Sequence, residues 1–141
     1  MKKIIVLLLC LGLVGCISLG NVDRLRAANG RRLVRLNIGM AEVDVLHIMG
    51  DASATDRNFL ERFTVNNPHK SEILQGKNKT LKVVYYYTDI KEPHRFYGFT
   101  HKVPTVKEDD LTPLVFDEGK LIGWGWGFLQ NSIQKYEIRV R

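Results

Sequence analysis

At 141 residues, 45% apolar content and a formal net charge of +6, the chain is sized for one globular domain with a single core. No internal repeat or low-complexity tract interrupts it, and two cysteines are too few for a disulfide-stapled scaffold.

Residues 1–16 read MKKIIVLLLCLGLVGC. Lys2 and Lys3 form a positive n-region, and Ile4 to Leu13 is an apolar run of ten. That run is too short to cross a hydrocarbon core of about 30 Å as a helix. Leu13-Val14-Gly15-Cys16 resembles the lipobox of bacterial lipoproteins. The resemblance implies cleavage of a signal peptide, residues 1–15, and attachment of acyl chains to Cys16 and its new amino group. Each buried methylene contributes about 0.8 kcal/mol, so two or three chains anchor the protein without spanning the bilayer. Ile17 is not aspartate, which in lipoproteins of the enteric type implies export to the outer membrane of a Gram-negative cell, with the domain facing the periplasm. Cys10 leaves with the signal and Cys16 carries lipid, so the mature chain holds no disulfide, thiolate nucleophile or cysteine metal ligand. Nucleic acid is excluded as a partner by location rather than by charge.

Residues 16–22 read as a lipid-anchored linker and residues 23–141 as the domain. Arg24, Arg26, Arg31, Arg32 and Arg35 follow closely, opposed only by Asp23. They either meet anionic headgroups at roughly 1 kcal/mol each or form a solvated helix face. Asn21 to Leu36 is predicted helical on a stripe of Val22, Leu25, Ala28, Leu33 and Leu36, with Gly30 marking a break. A second helix is predicted over about Ala41 to Met49, with Val45, Ile48 and Met49 inward and Gly50 as its C′ glycine. Together they predict an αα-hairpin.

The remainder is β in character. Phe59 to Val65 is a short strand candidate, and Leu81 to Thr88 is the clearest strand. Leu114 to Phe116 and Lys120 to Phe128 flank Asp117-Glu118-Gly119, a tight hairpin turn. Alternation over Tyr136, Ile138 and Val140 predicts an edge strand. On the predicted 120–128 strand, Ile122, Trp124, Trp126 and Phe128 share one face and Gly123, Gly125 and Gly127 the other. The glycine face is covered either by the neighbouring strand or by a partner. The loop Lys91 to Asp110 carries Phe96, Tyr97 and Phe99, a patch either folded onto the domain or offered to a partner. Helices followed by strands predict an α+β domain, a two-helix hairpin packed on one face of a three-stranded or slightly larger antiparallel sheet.

His94 and His101 lie seven apart near Asp89, Asp109 and Asp110, without a known metal-ligand spacing, and His47 and His69 read as surface or satisfied residues. No nucleophile triad, carboxylate pair or phosphate loop stands out. The expectation is no catalytic residue, no metal and no cofactor: a protein that is not an enzyme.

The segment Gly39-Met40-Ala41-Glu42-Val43-Asp44-Val45-Leu46-His47-Ile48-Met49-Gly50 resembles the signature of the SmpA/OmlA (BamE-like) family of small outer-membrane lipoproteins. Gly39, Met40, Val45, Leu46 and Gly50 carry the resemblance, in a divergent branch whose C-terminal half differs. The chain departs from the family pattern at Ala41, where the family has Thr as helix N-cap, and at Asp51, where it has Pro. The missing cap costs about 1 kcal/mol. The resemblance implies a helix pair on a three-stranded sheet, similar to the half-units of β-lactamase inhibitor proteins. It also implies a non-enzymatic binding or scaffold subunit in envelope or outer-membrane protein assembly, touching membrane lipid and assembly proteins. The alternative expectation is an inhibitor-like or ligand-binding module that uses the glycine face and the 91–110 loop against an envelope enzyme or small molecule.

Overall fold

The computed structural model describes residues 21–57, 62–89 and 106–138. Cys16, Phe96, Tyr97, Phe99, His94 and His101 lie outside the described residues. Helix α1 (Asn21–Leu33) is followed by α2 (Glu42–Met49), and strands β1 (Ala54–Arg57) and β2 (Arg62–Val65) form an antiparallel pair. Strands β3 (Lys70–Gln75), β4 (Thr80–Tyr87), β5 (Leu111–Asp117) and β6 (Lys120–Trp124) form a four-stranded antiparallel sheet in that order, and α3 (Trp126–Lys135) follows it. The fold class is therefore α+β with antiparallel sheets, as expected.

The central strands explain the layering. In β4, Leu81, Val83, Tyr85 and Tyr87 point to one face while Val84 and Tyr86 point to the other, and all six are buried. In β5, Leu111 and Val115 join the first group, and Leu114 and Phe116 the second. Strands apolar on both faces need cover on both. On the Tyr85 face, Val22 and Leu25 of α1 and Leu129 of α3 supply it, with Phe128 and Ile133 packed alongside. On the Tyr86 face it is supplied by Leu36 and by Val45 and Met49 of α2. The expected arrangement of helices on a single face is thus corrected to apolar cover on both.

Three further corrections concern local structure. The strand expected to run to Phe128 stops at Trp124, because Gly125 adopts φ +88° and turns the chain into α3. From there Trp126, Leu129 and Ile133 recur at helical spacing toward the core. Over Tyr136 to Ile138 the expected C-terminal edge strand gives way to a helix end, and Val140 lies outside the described residues. Tyr136 and Glu137 form a turn, the Ile138 N–H donates to the Ile133 carbonyl at 3.0 Å, and the Ile138 side chain is buried. Gly30 does not break α1: it lies within the helix, where an added Cβ would meet nothing within 4 Å.

The Gly39–Met40 segment closes one edge of the sheet. Gly39, at φ +90°, donates its N–H to the Leu121 carbonyl at 2.8 Å, and Leu121 donates back to Met40 at 2.9 Å. Ala41 bridges to Lys120, and the Glu42 N–H donates to the Gly119 carbonyl at 2.8 Å. A backbone carbonyl from the β5–β6 turn therefore occupies one of the free N–H groups at the start of α2, the task a threonine side chain performs elsewhere. Ala41 itself makes no side-chain cap.

Candidate functional site

Helix α1 carries Arg24, Arg26, Arg31 and Arg32 of the predicted cluster, and it is fixed from outside at its start and toward its end. At its start, the Asn21 and Val22 N–H groups donate to the two carboxylate oxygens of Asp56 on β1, at 2.6 and 3.2 Å. The negative charge satisfies free N–H groups and meets the positive end of the helix dipole. Asn21 and Val22, where the expected linker and the expected helix overlapped, are the first residues of the helix, and Val22 is buried.

Farther along α1 lies a buried polar knot that sequence reasoning missed. Asn29 and Asn67, both almost wholly inaccessible, exchange two amide hydrogen bonds at 3.0 and 3.1 Å. Asn29 also donates to the Tyr87 carbonyl at 2.8 Å. Asn67 donates to the carbonyls of Met49 and Gly50 at 3.2 and 3.3 Å. Arg32 adds a bond to the Met49 carbonyl at 2.7 Å and a long one to Asn29 at 3.4 Å. Carbonyls at the C-terminal end of α2 receive donors, one of them cationic, as the helix dipole favours. The knot joins α1, the end of α2, the loop before β3 and the end of β4. No single-residue periodicity signals it. The available sequence sign was Asn29 falling on the apolar face of α1, in register with Val22 and Leu25.

The structure therefore divides the five arginines. Arg32 is drawn into the knot, and Arg26 pairs with Asp23 at 3.5 Å, one turn back. Arg24 and Arg31 are exposed and stand seven residues apart, which places them on one side of the helix, opposite Val22, Leu25 and Asn29. Arg35 is exposed in the turn that follows α1.

Beside these arginines lies an apolar corner. Among the described residues, Val34, Ile38 and Val43 are 85%, 68% and 71% exposed, and the remaining large apolar residue this open is Ile73 on β3. All three fall in the turn between α1 and α2 or in the first turn of α2, while Leu36 between them points inward.

The other motif residues serve the fold. Val45 is fully buried against the Tyr86 face and Leu46 packs at its margin, its carbonyl accepting the Gly50 N–H at 2.8 Å. Gly50 sits at φ +75° beyond the end of α2. The glycine-face question is answered within the chain at Gly123, where an added Cβ would stand 2.6 Å from the Phe128 ring. The Trp126 indole donates to the Leu111 carbonyl at 2.7 Å and packs 5.7 Å from the Tyr85 ring. At the described ends of the 91–110 connection, the Thr88 and Asp89 N–H groups both donate to the Asp110 carbonyl at 3.1 Å. Thr88 and Thr112 share a hydroxyl bond at 2.6 Å across β4 and β5.

The β4 tyrosines are chemically quiet. Burial pushes Tyr86 up to about 12, with Arg32 pulling the other way, and the same cause pushes Tyr87 up to about 12. Tyr85 is raised further by burial and by its hydroxyl bond to Glu72. Among the described residues no three His, Cys, Asp or Glu side chains converge as a metal site, and no helix is long and apolar enough to cross a membrane.

Comparison with known proteins returned no matching curated protein and no matching solved structure. A family model described as a protein of unknown function (DUF3192) matches residues 21–131, from the first residue of α1 into α3. On that match, which spans most of the chain, the protein belongs to the DUF3192 family.

Proposed function

We propose that the protein is a lipid-anchored, periplasm-facing outer-membrane lipoprotein that acts as a non-enzymatic binding or scaffold subunit in envelope assembly. The observation that carries this reading is the outward arginine side of α1, which begins five residues after Cys16 in a helix fixed by Asp56 at one end and by the Asn29–Asn67–Arg32 knot farther along. A rigid cationic helix close to an acylated cysteine fits a domain that works against a membrane surface. The SmpA/OmlA resemblance supports the same reading through Gly39, Met40, Val45, Leu46 and Gly50, of which the first four here dock α2 and its approach on the sheet while Gly50 ends the helix. The inhibitor-like alternative has less support, because Phe128 covers the sheet at Gly123 from within the chain.

The test is affinity capture of the full-length protein from crosslinked envelopes, read by mass spectrometry, with Cys16→Ser as the control. Recovery of barrel-assembly components that depends on Cys16 supports the assembly role. Enrichment of a different envelope protein in their place overturns that role.

A further inference from the structure

We propose that the corner between α1 and α2 is a membrane-docking surface, on which Val34, Ile38 and Val43 enter the headgroup region of an anionic bilayer while Arg31 and Arg35 meet lipid phosphates. The proposal rests on the anchored-lipoprotein reading and goes beyond it by assigning the surface and its occupant.

The corner combines two features that a bilayer interface rewards together. Three large apolar side chains stand open to solvent within ten residues of sequence, with the exposed Arg31 just before them and Arg35 among them. Apolar tips set among cations are the pattern of interfacial membrane binding. A purely electrostatic face would have no use for the exposed valines and isoleucine.

The position of the anchor favours lipid as the occupant. Four residues lie between Cys16 and Asn21, a reach of at most about 17 Å over the five steps. Helix α1, 13 residues long, then spans about 20 Å. Helix α1 leads from the tether to Arg31 and the corner that follows it. Local acidic groups do not undo this arrangement. Glu42 is paired with Lys82 at 2.6 Å, and Asp23 with Arg26. Asp44 is exposed next to Val43, but one residue onward on a helix turns its side chain about 100° away.

The mature chain has no free thiol, so a single introduced cysteine reports depth. Ile38→Cys, Val43→Cys and, as a reference, Ile73→Cys would each be labelled with a polarity-sensitive fluorophore in the full, lipidated protein. The proteins would be reconstituted in phosphatidylcholine vesicles with or without phosphatidylserine, carrying shallow nitroxide lipids. The expected result is blue-shifted, nitroxide-quenched emission at positions 38 and 43 in the anionic vesicles and water-like emission at 73. Replacing Arg31 and Arg35 by Gln should lower the docked-to-undocked ratio about thirtyfold, the factor for two arginines at an anionic surface.

Cys16 acylation is read by mass spectrometry on the same preparation. Acylated protein with positions 38 and 43 as wet as 73 overturns the docking and leaves the anchor standing. Unacylated protein overturns the anchor and the docking with it. Shielding of position 38 by a co-purifying protein, without nitroxide quenching, also overturns lipid as the occupant.

Discussion

At the scale of single residues, the interior carries polar groups in two different conditions. The Asn29–Asn67 pair is satisfied, each amide bonded to the other and to backbone carbonyls. Asn29→Leu removes the donor to the Asn67 side-chain oxygen and to the Tyr87 carbonyl, so it should cost about 2–4 kcal/mol in denaturant unfolding. Adding Asn67→Leu should cost less than the sum of the two single changes, because the second loses bonds the first has already broken. Tyr86 is in the opposite condition: its hydroxyl is buried and has no hydrogen-bond partner among the described residues. Tyr86→Phe removes a desolvated hydroxyl at almost constant shape, and should leave stability unchanged or raise it by about 1 kcal/mol. A loss above that by the same measurement would show that the hydroxyl is usefully bonded in solution.

At the scale of elements, legibility followed how strongly a segment's pattern was its own. Leu81 to Thr88 could be read because β-branched and aromatic residues fill it, and the observed strand runs Thr80–Tyr87. The α2 boundaries were legible from Val45, Ile48, Met49 and Gly50. Strand β1, Ala-Thr-Asp-Arg, could not be read, since its role is set by pairing with β2 and by Asp56 capping a helix that begins 35 residues earlier. Strand β3 hides its alternation by exposing Ile73 and burying Leu74. The Gly-Trp-Gly-Trp run satisfies a period of two and a helical period at once, and Gly125 with its positive φ decided between them. Of the candidate site, the arginine cluster was legible, but which arginines face outward depended on partners distant in sequence.

The same segment yields a sharp test of packing. Gly123→Ala would press a methyl into the Phe128 ring, so a loss of about 1–3 kcal/mol is expected in thermal or denaturant unfolding. Phe128→Leu in the same chain should recover part of it. Gly127→Ala is the contrast: an added Cβ there meets nothing within 4 Å, and alanine favours helix, so a gain of about 0.5–1 kcal/mol is expected.

At the scale of the whole molecule, three consecutive tyrosines at the centre of the sheet couple the fold to alkaline pH. Tyr85 and Tyr87 face one core and Tyr86 the other, so their titration reports on both layers at once. Burial raises all three above the ordinary value of 10, Tyr86 and Tyr87 to about 12. Above pH 10 the unfolded chain releases these protons while the folded chain keeps them, so the folded state binds more protons and stability falls as pH rises. The loss should begin near pH 10 and grow toward pH 12, with full stability below pH 9 as far as these groups are concerned. Melting temperatures measured across that window, alongside phenolate absorbance, check it. The expected result is cooperative melting that accompanies the tyrosine absorbance change, with Tyr86→Phe shallower in its pH dependence. Tyrosines that ionise near pH 10 in a chain that stays folded would mean that the two core layers are open to water, and would overturn the closed packing of the sheet between them.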